Sequence, residues 1–152
     1  MSLPTKDRLR EMFLESARAT LARALRTPDD WDRYTSIVRT ADARIMTEQA
    51  EYARSYKTRI AEAQEIILRE EHGVRLDQPL PPGAIKFSDK DALHAKADHR
   101  VRRDHEDRIS VIKADELTAY QDLTSAIRQR DMPTQSKSLT KSFDRSGPTR
   151  SQ

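Results

Sequence analysis

The chain has 152 residues and a formal net charge of +3, with 35% charged and 36% hydrophobic side chains. That balance suits one small domain of long, well-solvated helices. With no cysteine, a disulfide framework and a thiolate metal site are both excluded. No stretch approaches the ~18 apolar residues of a membrane span, and positions 1–13 carry no apolar signal segment, so no membrane partner and a cytoplasmic location are expected. Secretion by a route that needs no signal peptide stays open.

The charge is unevenly placed. From Met1 to Asp131 there are 24 basic and 24 acidic side chains, so the excess lies entirely beyond that point. The sequence pI of about 9.3 therefore does not describe a basic face on the helical body, which weakens the usual inference of nucleic-acid binding there.

In chain order, Thr5 is an N-cap candidate for a first helix over about 5–26, with Asp7 in its first turn. Leu9, Met12, Phe13, Ala17, Leu21, Ala24 and Leu25 recur at three- and four-residue steps, predicting one apolar stripe. Thr27-Pro28-Asp29-Asp30 then reads as a helix start: an N-cap, proline at the first helical position and acids in the first turn.

The second helix is expected over about 28–72, roughly 65 Å long at 1.5 Å per residue. Its seam reads Trp31, Tyr34, Val38, Ala41, Ile45, Gln49, Tyr52, Tyr56, Ile60, Ala63 and Ile67. Consecutive four-residue steps from about Gln49 to Ile60 depart from a strict heptad and predict a locally relaxed coiled coil. Trp31 is read as a core anchor and Gly73 as the C-terminal stop.

Residues 73–88 contain Pro79, Pro81, Pro82 and Gly83 beside Val74, Leu76, Leu80, Ile85 and Phe87. That is too apolar for a free linker and suggests a loop folded over the end of a hairpin. Ser88-Asp89-Lys90-Asp91 resembles a capping box opening a third helix over about 89–130. The third seam reads Leu93, Ala97, Val101, His105, Ile109, Ile112, Glu116, Tyr120, Leu123 and Ile127.

These elements predict an all-α fold: a long antiparallel hairpin whose shorter N-terminal helix completes a three-helix bundle at one end. Residues 1–131 form the helical domain and 132–152 a disordered basic tail. The far half of the hairpin, about Tyr56–Gly73 with Asp89–Arg108, lacks a third layer, so self-association or a partner helix is expected there.

Chemistry is sparse. His94, Asp98 and His105 fall on one helical face, and imidazole and carboxylate are legitimate metal ligands. His94 and His105 are nevertheless about three turns apart, roughly 16 Å of rise, too far to share one ion. The i,i+4 pairs Asp98–Arg102, Arg102–Glu106, Arg103–Asp107 and Asp104–Arg108 give the plainer reading of a self-supporting charged helix. No phosphate loop, zinc-protease motif or nucleophile elbow is present. No enzyme activity, cofactor or metal is expected.

The expected function is that of a non-catalytic interaction protein, an adaptor or assembly component. Candidate partner contacts are His94, Asp98, Val101, His105, Tyr56, Ile60, Leu80, Ile85 and Phe87. Two alternatives rest on the tail, where Lys137, Lys141, Arg145 and Arg150 face a single acid, Asp144. Those cations suit phosphate or acidic-partner contact in a nucleic-acid-associated accessory protein of a plasmid or phage. The basic, serine-rich tail also resembles the transfer signals of bacterial type IV secretion substrates, which implies a secreted effector or cargo module.

Overall fold

The computed structural model describes residues 3–84 and 89–132. Among them are three helices and no strand: α1 (Lys6–Ala24), α2 (Pro28–Glu71) and α3 (Lys90–Arg130). The expected all-α class and helix order are observed, and the boundaries agree with expectation to within two residues.

The caps explain those boundaries. The Thr5 hydroxyl accepts from Arg8 N at 3.2 Å and opens α1. At the α2 start, Thr27 Oγ1 accepts from Asp30 N at 3.1 Å while Asp30 Oδ2 accepts from Thr27 N at 3.1 Å. This reciprocal pair is a capping box with aspartate in the position usually held by glutamate. The α2 end is a Schellman closure: Gly73 sits at φ 65°, Gly73 N donates to Glu70 O and Val74 N to Arg69 O. The cap of α3 is Asp89, whose Oδ1 accepts from Asp91 N and Ala92 N at 3.1 and 3.2 Å. Asp91 therefore donates its backbone to the cap and is not the reciprocating acid of the expected box; Ser88 lies outside the described residues.

The chain divides into two compact units: Met1–Val38 with Glu116–Gln152, and Arg39–Asp115. The first contains the expected three-helix bundle. Leu14, Leu21 and Leu25 of the N-terminal segment pack with Tyr120, Leu123 and Ile127 of α3, and Tyr34, Ile37 and Val38 of α2 close the cluster. Tyr34 and Tyr120 stack at 5.8 Å between ring centroids. Two side chains depart from expectation. Trp31 is 52% exposed and touches Tyr34 only edge-on, so it anchors nothing. Phe13 and Met12 are 59% and 48% exposed, and the core position on that turn belongs to Leu14.

The second unit is an antiparallel helix pair with a core of its own. Ile60, Ala63, Ile67 and Leu68 of α2 meet Leu93, Ala97 and Val101 of α3, flanked by Tyr52, Tyr56 and Leu80. The connecting loop does fold onto this end: Leu80 packs on the core and Ala84 is buried. Arg69 ties the loop down. Its Nη1 donates to Arg75 O at 2.7 Å and to Gln78 O, and its Nη2 to Glu65 Oε1 at 2.9 Å. The segment expected to be short of packing thus has a closed apolar seam, laced outside by Glu70–Arg100 and Glu71–Lys96 ion pairs of 2.6 and 2.9 Å.

Candidate functional site

The charged side chains that leave the surface come first, because a buried acid must be either paired or functional. In the first unit Asp30 is 1% exposed. Both its oxygens accept from the Arg130 guanidinium, at 2.6 and 3.0 Å, and Oδ2 also takes Arg26 N at 2.9 Å. The Arg130 fork, supported by the two backbone donors against the cost of burial, holds this carboxyl far below the usual carboxylate range. The sequence shows Asp30 only as a first-turn acid. Its burial and its long-range partner carry no local signal.

Glu116 is the second buried acid. Its Oε2 accepts from Tyr120 OH at 2.6 Å and from Arg18 Nη2 at 2.7 Å, and Arg18 Nε reaches the same phenol oxygen at 3.3 Å. Burial, with the bond to Glu116, pushes the Tyr120 phenol up to about 12. The hydrogen bond to Glu116 raises the Arg18 guanidinium above its ordinary value. Each polar atom in this triad is spent on another member. It locks α1 to α3 and presents no poised acid, base or nucleophile.

In the second unit a polar belt crosses the helix pair. His105 Nδ1 lies 2.8 Å from Glu48 Oε2, and its ring is 4.1 Å from that of Tyr52. Arg108 approaches the other Glu48 oxygen at 3.6 Å. The Tyr56 hydroxyl donates to Asp98, which also accepts from Arg102 Nε at 2.8 Å. These bonds depress the Asp98 carboxyl, with the Tyr56 contact contributing most, and the same contact raises the Tyr56 phenol. Arg59 Nη1 is buried without a hydrogen-bond partner among the described residues and reaches Asp104 only at 3.9 Å.

This geometry separates the residues singled out from sequence. Tyr56 and Asp98 are brought together, as are His105 and Glu48; His94 is exposed on the surface of α3. Val101 and Ile60 are 5% and 7% exposed and spend their surface on the core. Leu80 does the same in part. Ile85, Phe87, Lys137, Lys141, Arg145 and Arg150 lie outside the described residues. Among the described residues no three histidine or carboxylate side chains converge as metal ligands, and no helix is long and apolar enough to cross a membrane.

The open surface of this unit is a groove of about 530 Å³ along the α2–α3 seam. Its floor is Ala43, Thr47, Val111 and Ile112; its rims carry Arg44, Glu48, Glu51 and Arg108. Val111 is 56% exposed there. In the first unit α1 covers the α2–α3 seam, whereas no described helix covers it in the second. The chain matches no protein-family model, no curated protein and no solved structure.

Proposed function

We propose that the chain is a non-catalytic helical interaction protein, cytoplasmic in location, that self-associates by seating a second copy on the α2–α3 groove of its second unit. The uncovered apolar groove carries the reading. An exposed valine beside a seam isoleucine, between charged rims, is the form of a helix-packing surface that lacks its third member. The rims favour a second copy as occupant. A two-fold interface must be self-complementary, and two arginines and two glutamates border one floor, so each can meet its opposite across the axis. The non-catalytic part is supported by the buried acids: Asp30 and Glu116 are both fully engaged by arginine, tyrosine and backbone donors.

Sedimentation of the full chain tests this. A mass above the 17.5 kDa of the monomer is expected, and Val111→Glu should return it to the monomer with its helical circular dichroism intact. A chain that stays monomeric from micromolar to millimolar concentration refutes the reading.

A further inference from the structure

The Arg130 end of the first unit collects cations. Arg23, Arg26 and Arg128 line one groove of about 520 Å³ between α1 and α3, together with Thr20, Ile127 and Met132. The acids nearby are already taken: Arg130 holds Asp30 through two bonds and Asp131 through its Nε at 3.0 Å. Arg26 is partly committed as well, since its Nη1 donates to Arg23 O at 2.6 Å. Among the described residues, the Arg23 and Arg128 guanidinium groups have no ion-pair or hydrogen-bond partner, although they sit on two different helices facing one groove. Uncompensated guanidinium forks on a rigid scaffold are the usual means of gripping phosphate oxygens.

A second feature extends the groove. Met132, which lines it, is followed directly by the segment holding Lys137, Lys141, Arg145 and Arg150 against one acid. The chain's entire net positive charge is therefore covalently attached at the mouth of an arginine-lined groove. A small anion would engage the groove alone. A linear polyanion can follow both.

We propose that this arginine-lined groove and the positions that follow it form one binding surface for the phosphate backbone of a nucleic acid, with Arg23 and Arg128 as its folded contacts. The proposal is independent of self-association through the other unit. The polymer is recognised by charge and not by base, because the groove offers guanidinium groups and no exposed aromatic ring for stacking.

The test is fluorescence anisotropy of a labelled mixed-sequence 20-base-pair DNA duplex with the full chain, titrated between 50 and 200 mM NaCl. Two groove and four tail contacts would give a log–log salt slope of about −5, a loss of affinity near 10³-fold across that range. Arg23→Gln with Arg128→Gln should flatten the slope by about 2, and Arg23→Lys with Arg128→Lys should keep it. Both sites are exposed, and unchanged helical circular dichroism verifies that each variant is folded. Removal of residues 133–152 should leave weak binding with a slope near −2. No binding at 50 mM NaCl, or an unchanged slope in the glutamine variant, overturns the proposal. Equal binding to poly-glutamate or to vesicles rich in phosphatidylserine overturns the nucleic-acid assignment.

Discussion

Leu14 and Phe13 are adjacent, both are large and apolar, and only one can face the bundle. Leu14 is 1% exposed and packs in the first unit's core, while Phe13 is 59% exposed. Leu14→Ala removes three buried carbons, about 2.4 kcal/mol of transfer free energy at ~0.8 per methylene. The unfilled cavity adds to this, for a total of about 3–4 kcal/mol. Phe13→Ala removes a ring that is mostly in water and gains helix propensity, so its net effect should stay within about 1 kcal/mol. At ~2–4 °C per kcal/mol for a chain of this size, Leu14→Ala should lower Tm by roughly 10 °C and Phe13→Ala by no more than about 3 °C. Thermal melts followed by circular dichroism at 222 nm give both numbers under one buffer. A Phe13→Ala loss equal to or larger than the Leu14→Ala loss would mean that α1 is rotated from the described face, and the reasoning would fail with it.

The two buried acid networks make opposite pH predictions. The Asp30 carboxyl is depressed in the fold, so its pairing with Arg130 contributes fully above the unfolded value near 3.8 and is lost as pH falls below it. Arg130→Gln should therefore lower Tm at pH 7, and its gap to the wild type should narrow steadily between pH 4 and pH 2; a gap independent of pH would exclude the ion pair as the cause. Tyr120 is raised from 10 to about 12, so its neutral form stabilises the fold below pH 10, and that contribution disappears as pH rises from 10 to 12. Tyr120→Phe should cost about 1–2 kcal/mol at pH 7 and should lose less stability than the wild type between pH 10 and 12; parallel alkaline losses would show that another group is responsible.

The third helix was legible almost completely. Its seam from Leu93 to Ile127 contains only buried or half-buried residues, including His105 and Glu116. Steps of three and four alternate there often enough that the stripe does not wander. On α1 they do not. Leu9, Phe13, Ala17, Leu21 and Leu25 advance by four each time, and each step drifts about 40° around the helix. Taking Leu21 as the centre of the core face, Phe13 falls about 80° to one side and Met12 about 180° away, while Leu14 lies within about 20°. A count of apolar spacings admits both sets. The helix cannot bury both, and partners on α2 and α3 decide which one is kept.

The misses on α2 share a different cause, and it bears on what holds the helices in register. Trp31 lies about 60° from the Tyr34 direction, whereas Asp30 lies about 40° on the other side. Gln49 and Glu48 stand in the same relation to Tyr52. In both places the core-facing position belongs to an acid, which a hydrophobic pattern passes over in favour of its neighbour. Asp30 occupies that position by binding Arg130, and Glu48 by meeting His105 across the pair, with a side chain 11% exposed. An apolar seam between two long helices is tolerant of sliding by a heptad, because leucine meets leucine again after seven residues. A bidentate Asp30–Arg130 pair is not: shifting α3 by one heptad would move the guanidinium by about 10 Å and leave a buried carboxylate without its counterion. The acids that escape a hydrophobicity reading are thus the residues that fix α2 and α3 at one register within each unit. Glu116 does the same for α1 through Arg18. Apolar seams supply the attraction between the helices, and these three buried or half-buried acids select the alignment.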